Sequence, residues 1–384
     1  MNDVTIIGGG PAGCKAASLL SGDMDVTVVE EHDVSGIPVQ CTGLISDDVI
    51  RLSGVNVDVL GSLYGANVHF PGGGVISVRS KKRKGVLIDR AVLDKRMADA
   101  AMDAGAVFQY GTRYVSHSCS DSIVRTETTK GTLVSKIIVG ADGHSSAVAR
   151  SLGNNGPKEY VKGVQFDVRN TTDDPEMMDI FLGSDAPGFF AWLIPFEDMT
   201  RVGLCSSGDI PPSEHLKNIL RRTGLQDKTV VRKYSGKIPL GGRRTTFGDG
   251  TLLIGDAAGQ VKPISGGGLY PAFMSSHPLA ETVREAIASG DTSAGSLRRY
   301  ETRWKKEIWK ELRNGYLLRR MFKRMDDRSM DEIFAAADRE EMRSILNEID
   351  LDSPSDVILP MLKDIGVVTG FAMPVLKGIL RGNR

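Results

Sequence analysis

The sequence predicts a mixed α/β (α+β) fold that combines a doubly wound domain, an antiparallel β-sheet domain and a helical C-terminal region. Three observations support this prediction. The chain begins with a strand–turn–helix–strand unit, its middle part alternates apolar and polar residues as half-buried strands do, and helical periodicity dominates after residue 295. The 384 residues are enough for two or three domains with sizeable cores.

The opening unit is the most specific signal in the chain. An apolar, β-branched strand at residues 4–7 runs into the turn Gly8-Gly9-Gly10-Pro11-Ala12-Gly13, which opens a helix of small residues. A second strand, at 26–29, ends at Glu30. This order of strand, G-x-G-x-x-G turn, helix, strand and acidic residue is typical of a unit that binds a dinucleotide.

Each part of the unit has a physical role in that binding. Gly8 permits the tight turn, Gly10 lets a pyrophosphate approach the backbone, and Gly13 lets the helix pack closely on the strand. The N–H groups at the start of the helix are available to phosphate. Glu30 follows Gly13 by 17 residues and is placed to accept hydrogen bonds from ribose hydroxyls.

The composition is that of an ordinary globular protein. Lys and Arg together number 48, as do Asp and Glu, so the whole-chain charge does not favour nucleic acid as a partner. The four cysteines form no C-x-x-C pair and no metal-ligand spacing, so we expect free thiols and no metal site. The first strand begins almost at once, and no apolar stretch is long enough to span a bilayer. We therefore expect a cytoplasmic protein.

The pattern of elements divides the chain into three regions. Asp89 is predicted to cap a helix over 90–104, and a second helix is expected at 275–289. The predicted regions are a doubly wound domain (1–60, 85–155 and 245–295), a β domain that covers it (61–84 and 156–244), and a C-terminal helical region (296–384).

Three later segments indicate which dinucleotide is bound. Asp142-Gly143 follows one apolar strand, and Gly255-Asp256-Ala257 follows another. Asp256 in such a place can hydrogen-bond the ribityl chain of a flavin, while the helix start that follows can face the electron-rich side of the ring. Gly266-Gly267-Gly268 then offers bare backbone to a flat ligand, because glycine adopts the left-handed φ values that such a loop needs.

These motifs together resemble the FAD-dependent oxidoreductases of the aromatic-hydroxylase and glutathione-reductase-like type. Within that type the chain is similar to the geranylgeranyl reductase family, especially its archaeal lipid branch, from Asp3 to about Tyr300. The resemblance implies a Rossmann-like FAD-binding domain. The cofactor-binding residues that it implies are Gly8, Gly10, Pro11, Ala12, Gly13, Glu30, Glu31, Cys41, Thr42, Gly43, Arg90, Asp142, Gly143, Gly255, Asp256, Ala257, Gly266, Gly267, Gly268 and Leu269.

Two features favour this family over its relatives. Residues 187–195 are similar to the motif P-x-x-Y-x-W-x-F-P that lines the family's prenyl-binding cavity, with Phe190 in place of Tyr and Ile194 in place of Phe. The resemblance therefore implies that Phe190, Trp192 and Pro195 contact substrate, although ordinary core packing explains the aromatic residues equally well.

The second feature is a loop around Cys41. Residues 38–43 are similar to the family's loop that carries a cysteine near the flavin, with Thr42-Gly43-Leu44 in place of the more usual Gly-Glu-Gly. The resemblance implies a catalytic Cys41 that helps to protonate or position the substrate. The alternative is a small buried hydrophobic residue.

By resemblance, we expect an enzyme in which reduced FAD saturates C=C bonds of geranylgeranyl chains on archaeal-type glycerophospholipids. One alternative is a flavin-dependent monooxygenase or halogenase, because Trp192-x-Ile194-Pro195 also resembles the halogenase motif W-x-W-x-I-P. Another is a non-catalytic, membrane-associated flavoprotein that carries electrons. The sequence has no second G-x-G-x-x-G unit, so ferredoxin, a deazaflavin and transiently bound NAD(P)H all stay open as electron donors.

The segment from Arg298 to Arg328 holds twelve basic and five acidic residues. A row of largely apolar side chains recurs every four residues and shares one helix face, namely Tyr300, Trp304, Ile308, Leu312 and Tyr316. Two interpretations are open, namely a helix packed on its own protein with a solvated charged face, and peripheral contact with an anionic membrane.

Overall fold

The computed structural model describes residues 1–154, 156–338 and 340–364, so the last part of the predicted helical region, 365–384, lies outside the described residues. The described strands are β1 Asn2–Ile7, β2 Val26–Val29, β3 Leu44–Ile45, β4 Val59–Leu63, β5 Gly65–His69, β6 Val75–Arg79, β7 Gly85–Ile88, β8 Val107–Gln109, β9 Tyr114–Ser120, β10 Ile123–Thr128, β11 Gly131–Gly140, β12 Glu159–Arg169, β13 Met177–Phe181, β14 Ala191–Phe196, β15 Met199–Ser206, β16 Val230–Leu240, β17 Phe247–Gly248 and β18 Thr251–Leu253. The described helices are α1 Pro11–Leu20, α2 Asp47–Ser53, α3 Arg90–Asp103, α4 Ala147–Ser151, α5 Pro212–Arg222, α6 Leu269–Ser289, α7 Ala294–Phe322, α8 Asp327–Ala337, α9 Glu340–Asn347 and α10 Ser355–Asp364.

The predicted doubly wound domain is confirmed by a parallel sheet. Its parallel strands lie in the order β18, β11, β1, β2 and β8, and β17 is added antiparallel at one edge. Val4 and Ile6 on one face of β1 belong to a core shared with α1, α6 and α7. Ile7 on the opposite face packs with Val124 of β10 and Val148 of α4. The chain order reverses at the neighbouring strands β1 and β11.

The β domain is a seven-stranded sheet in the order β16, β12, β15, β14, β13, β5 and β6. Its pairs are antiparallel except for β13 with β5. One face packs against α5 through Val202 and Leu216. The other face packs through Trp192 and Ile194 against Leu87 and Val261, and so forms a buried apolar seam with the FAD-domain segments. The exact domain boundaries stay a prediction.

The start of helix α3 agrees with the sequence prediction, whereas the start of helix α6 does not. Helix α3 begins after Asp89, whose carboxylate accepts a hydrogen bond from the N–H of Ala91 at 2.9 Å, as predicted. Helix α6 begins at Leu269, six residues before the predicted start at 275. Pro271 lies in its first turn, where no N–H is needed for an intrahelical bond, so the proline does not break the helix.

Helix α7 buries the aromatic face that the sequence left open to two interpretations. Tyr300, Trp304, Ile308 and Leu312 all belong to the largest described core cluster. The Trp304 indole donates to Thr246 Oγ1 at 3.1 Å. These side chains are therefore unavailable to a membrane, which corrects that interpretation for this face and favours a helix packed on its own protein. Across the described residues, no helix combines the length and apolar character needed to cross a bilayer.

Candidate functional site

The residues predicted to bind the cofactor meet at one edge of the parallel sheet. Gly8 follows β1, Glu30 follows β2, Asp142 follows β11 and Asp256 follows β18. Because neighbouring parallel strands end at the same edge, distant parts of the chain converge there. The reversal of strand order between β1 and β11 is the place where doubly wound domains bind their ligands.

Gly8 and Gly13 are required by close backbone packing within the first turn. Gly8 has a φ of +105°, and a Cβ atom there would lie 2.4 Å from the carbonyl oxygen of Ala141. A Cβ atom on Gly13 would lie 2.0 Å from the carbonyl oxygen of Gly8. Both distances are far below van der Waals contact, so a larger residue at either position must displace the turn.

Gly10 lies in open space, as the predicted approach of cofactor phosphates requires. Apart from the residue's chain neighbours, no described atom lies within 4 Å of the position that its Cβ would take. Helix α1 begins beside it with no capping side chain and no acidic residue in its first turn. The N–H groups of that turn and the positive end of the helix dipole are therefore available to an anion. This arrangement fits the pyrophosphate of a dinucleotide.

Glu30 is buried beside this turn and holds it in place. Its Oε2 accepts a hydrogen bond from the N–H of Gly9 at 2.7 Å. Its Oε1 accepts from the N–H of His32 at 2.9 Å and lies 2.7 Å from His32 Nδ1. The sequence did not indicate this role of His32. Glu31 is exposed, and its predicted contact with the cofactor stays a prediction.

Asp142 has a structural task within its own loop. Its carboxylate accepts hydrogen bonds from Ser146 Oγ at 2.5 Å and from the N–H groups of Ala147 and Val148 at 2.7 and 3.1 Å, and so caps α4. Gly143 has a φ of +70° and no atom within 4 Å of its Cβ position. The backbone of this loop is therefore accessible even though the carboxylate of Asp142 is engaged.

Asp256 lies between the glycine loop and two arginines. A Cβ atom on Gly268 would lie 2.8 Å from Asp256 Oδ1, so the carboxylate contacts this loop directly. Burial raises the pKa of Asp256 to about 6, although the nearby Arg90 and Arg243 favour its ionised form. A poorly solvated carboxylate gains more than a solvated one from hydroxyl donors, which the ribityl chain of a flavin would supply.

Several other cofactor-binding candidates lie in or next to the same turns. A Cβ atom on Gly255 would lie 2.8 Å from the Cβ of Ala12, so the turn after β18 packs on the start of α1. The carbonyl of Gly267 accepts from the N–H of Lys262 at 3.0 Å, and Leu269 is the first residue of α6. Ala257 is buried next to Asp256. Pro11 begins α1.

Arg90 places a buried positive charge beside Cys41. Its guanidinium forms an ion pair with Asp94, with Nη2 2.9 Å and Nε 3.1 Å from Oδ1. Burial disfavours the charged form of Arg90, but Asp94 and the Cys41 sulfur more than offset this effect, so the pKa of Arg90 lies above its ordinary value. Cys41 is partly buried, and its predicted place beside the flavin stays a prediction.

Two buried residues of the β domain contact the Cys41 loop, and the sequence analysis missed both. Gln165 Nε2 donates to the carbonyl of Cys41 at 3.0 Å, and Arg201 Nη1 donates to the carbonyl of Thr42. Arg201 is itself paired with Asp167, which is 1% exposed. Arg201 is the single charged residue within β15, and this was the signal that could have revealed the pair.

An aromatic row leads from the glycine loop across the β domain. The Phe189 ring lies 3.4 Å from the Cβ position of Gly266 and stacks on Phe190 with centroids 4.6 Å apart. Phe190 contacts Trp192 edge to face at 5.8 Å. Trp192 is buried, and its indole N–H has no hydrogen-bond partner within the described part of the chain. Phe190 and Trp192 thus lie together at the seam, next to the predicted flavin site.

Pro195 lies apart from that row. It alternates with Ile194 and Phe196 along β14, and those two residues share the apolar cluster of Trp192. Pro195 instead lines a small cavity of about 170 Å³ together with Leu193. Pro195 thus lies on the face of β14 opposite to Trp192, and the structure does not bring it to Phe190 and Trp192. A substrate held by those two residues would not contact it.

A second buried network, also missed by the sequence analysis, connects the C-terminal region to the glycine loop. Lys262 Nζ pairs with Asp352 Oδ1 at 2.7 Å and donates to the carbonyl of Leu351 at 2.6 Å. Asp352 also accepts from Ser46, which caps α2. A Cβ atom on Gly267 would lie 2.8 Å from Lys262 Cε, so the aliphatic part of the Lys262 side chain packs against the glycine loop.

Comparison with known proteins agrees with this geometry. The family model described as FAD binding domain matches residues 1–314. Digeranylgeranylglycerophospholipid reductase 2 of Methanothermobacter thermautotrophicus is 31% identical over 94% of this chain and 99% of its own. Digeranylgeranylglycerophospholipid reductase of Methanocaldococcus jannaschii is 28% identical over 94% of this chain and 98% of its own.

Solved structures share the fold. A geranylgeranyl bacteriochlorophyll reductase-like protein from Thermoplasma acidophilum superposes with a TM-score of 0.84 at 23% identity, over 99% of this chain and 98% of its own. The halogenase PltM gives a TM-score of 0.72 at 14% identity, over 98% of this chain and 93% of its own. The family model and these relatives confirm the predicted family. The chain belongs to the FAD binding domain family and, within it, to the geranylgeranyl reductase family of FAD-dependent oxidoreductases.

Proposed function

We propose that this enzyme reduces C=C bonds in the geranylgeranyl chains of archaeal-type membrane glycerophospholipids. The observation that carries the proposal is the aromatic row Phe189–Phe190–Trp192, which begins at the glycine loop and continues along the apolar seam. Such a row is suited to hold an extended hydrocarbon chain against a flat cofactor. The names of the 31%- and 28%-identical relatives support the same substrate class.

The chemistry sets strict demands on the site. An isolated, unactivated alkene is a poor hydride acceptor, so a proton must arrive as hydride is delivered, and water must be kept away from the developing positive charge. Reduced FAD, when bound, supplies the hydride. The aromatic side chains exclude water and orient the prenyl chain, and the buried seam around Trp192 provides the dry surroundings.

Cys41 is the residue that we assign to proton delivery or to positioning of the double bond, with a held water as the alternative proton source. The proximity of the thiol to Arg90, another predicted cofactor-binding residue, supports this assignment. Replacing Cys41 with Ala should lower turnover by about 10²-fold or more, the contribution typical of a positioned proton donor. Unchanged turnover in Cys41→Ala would remove this role and favour the held water.

The electron donor in this proposal is a separate, diffusible partner. A single G-x-G-x-x-G unit occurs in the sequence, and in this proposal its residues bind FAD. Ferredoxin, a deazaflavin and transiently bound NAD(P)H are the candidates. Anaerobic reduction of the FAD-loaded enzyme by each donor in turn, followed by absorbance, identifies the one that supports turnover.

We also propose a peripheral membrane contact through the solvent-facing side of α7. Trp309 is 41% exposed, and the basic side chains of Lys306 and Arg313 are exposed beside it, while Lys310 pairs with Asp356. A cationic surface with an exposed indole suits anionic headgroups. Sedimentation with vesicles that contain anionic phospholipid should pellet the protein at low salt but not at high salt, and Trp309→Ser should weaken binding. Equal sedimentation with neutral vesicles would contradict the proposal.

Product analysis tests the function directly. The FAD-loaded enzyme is reduced with dithionite under anaerobic conditions and mixed with digeranylgeranylglycerophospholipid, and products are followed by mass. A gain of two mass units for each reduced bond supports the reductase. The monooxygenase and halogenase alternative, which the shared fold of PltM keeps relevant, predicts products only when oxygen is present. A flavin that cycles with its donor but never acts on lipid would indicate the electron carrier.

A further inference from the structure

The loop that carries Cys41 lies between the seven-stranded sheet and β7, which forms a small three-stranded sheet with β3 and β4. On the FAD-domain side, the carbonyl of Gly43 accepts a hydrogen bond from the N–H of Ile88 at 3.0 Å. Gly43 has a φ of +81°, and a Cβ atom there would lie 2.4 Å from the carbonyl oxygen of Ile88. This side of the loop is therefore fixed to the end of β7 by backbone contact, one residue after Thr42.

The β domain contacts the same loop from the opposite side. Gln165 on β12 donates to the carbonyl of Cys41 at 3.0 Å, and Arg201 on β15 donates to the carbonyl of Thr42. Close to these contacts, a Cβ atom on Gly236 would lie 3.2 Å from the carbonyl oxygen of Gln40. Three consecutive residues of the loop, Gln40, Cys41 and Thr42, therefore contact side chains or backbone of the β sheet.

The anchor formed by Arg201 is itself held rigidly. Arg201 Nε and Nη2 donate to the two oxygens of Asp167 at 2.7 and 2.8 Å, and Tyr234 OH donates to Asp167 Oδ2 at 3.1 Å. The guanidinium also lies 5.2 Å from the ring centroid of Phe196. A buried ion pair contributes little net stability because desolvation offsets its attraction, so its value lies in the geometry that it fixes.

This geometry determines the surroundings of the thiol. Burial disfavours the charged form of Arg201, but Asp167, Tyr234 and the sulfur of Cys41 raise its pKa above the ordinary value, so Arg201 lies near the thiol as Arg90 does. Each of these two guanidinium groups has its own buried carboxylate partner. Two paired guanidinium groups, one from each predicted domain, therefore lie near the sulfur.

We propose that Gln165 and Arg201 are positioning residues that hold Cys41 at the reacting side of the flavin. The inference rests on the proposed reductase function for the importance of Cys41, but it concerns only how the thiol is held. The β domain would then contribute more than a lining for the substrate, since it sets the distance between the thiol and the cofactor.

The test measures the reactivity of the thiol and requires no turnover. FAD-loaded wild-type protein and the variants Gln165→Met and Arg201→Lys are treated with iodoacetamide, and the modification of each cysteine is followed by peptide mass mapping. Cys119 is exposed and distant in the sequence, so it provides an internal reference. Arg169→Gln is the matched control, because Arg169 is the last residue of β12 and pairs with Asp198 in the turn just before β15, where both side chains are exposed.

The proposal predicts a changed ratio of Cys41 to Cys119 modification in both anchor variants, by about fivefold or more, in line with the loss of one hydrogen bond. Arg169→Gln should leave the ratio at the wild-type value. Gln165→Met removes an uncharged hydrogen-bond donor, so this variant still tests the proposal if Arg201→Lys does not fold. An unchanged ratio in folded Gln165→Met, or an equal change in Arg169→Gln, would overturn the proposal whether or not the protein proves to be a lipid reductase.

Discussion

Two alanine substitutions in the first glycine turn should separate cofactor binding from folding. In Gly13→Ala the new Cβ would lie 2.0 Å from the carbonyl oxygen of Gly8, so the turn must move by more than 1 Å, at a cost of about 1–3 kcal/mol or more in the free energy of unfolding. In Gly10→Ala the new methyl group meets no described atom within 4 Å. Because φ at Gly10 is −78°, alanine is allowed there and should stabilise the protein without FAD by about 0.5 kcal/mol.

The same methyl group at position 10 would occupy the space assigned to the pyrophosphate. If overpacking there costs about 1–3 kcal/mol, the dissociation constant for FAD should rise by about 5- to 150-fold. The assay combines urea denaturation of FAD-free protein with fluorescence titration of FAD for both variants. Wild-type affinity in Gly10→Ala, together with wild-type stability in Gly13→Ala, would refute this assignment of the two glycines.

Three further predictions concern buried charges. Asp256→Asn should stabilise the FAD-free protein at pH 7 by up to about 3 kcal/mol. The pKa of Asp256 is about 6 in the folded protein, so the wild type loses stability as the pH rises from about 4 through 6 and the buried carboxylate ionises. The same substitution should weaken FAD binding. Arg201→Met should cost about 3–5 kcal/mol in the free energy of unfolding, whereas Arg201→Met combined with Asp167→Leu should be nearly neutral. Asp352→Asn should likewise destabilise by several kcal/mol, because it leaves the charge of Lys262 buried without its partner.

Denaturation measurements supply the controls for these three predictions. The stabilisation by Asp256→Asn should vanish near pH 4, and a constant difference from pH 4 to 8 would contradict the raised pKa. A double variant of Arg201 and Asp167 that is as unstable as the single variant would contradict the account of that pair. Asp356→Asn removes an exposed pair with Lys310 on the same C-terminal segment and should cost less than about 1 kcal/mol. An equal loss in Asp352→Asn and Asp356→Asn would contradict the buried network.

The cofactor cradle could be predicted from the sequence because each of its parts is local. The turn at Gly8–Gly13 carries its own geometric signature, and Glu30, Asp142 and Asp256 each follow a recognisable apolar strand. One general rule, that parallel strands end at the same edge, is then enough to bring these segments together. The structure places all four strand ends at that edge.

The residues that hold the Cys41 loop could not be predicted in the same way. Asp167 and Arg201 are 34 residues apart, and their pairing depends on the register of β12 against β15, which a single sequence does not specify. Asp352 reaches Ser46 across 306 residues of chain. Pro195 shows a different difficulty. The sequence motif contains both Trp192 and Pro195, but successive side chains of a strand point to opposite faces, so the two residues lie on different sides of β14.

The most direct test of the central claim is a single-turnover measurement of flavin reoxidation. Enzyme with reduced FAD is mixed anaerobically with digeranylgeranylglycerophospholipid in a stopped-flow instrument, and the absorbance of oxidised flavin is recorded for wild type and for Trp192→Leu. The account predicts that lipid alone reoxidises the flavin in the wild type, with one flavin oxidised per double bond reduced, and that Trp192→Leu slows this step while oxygen reoxidises both proteins similarly. A reduced flavin that stays reduced with lipid and responds only to oxygen would contradict the account.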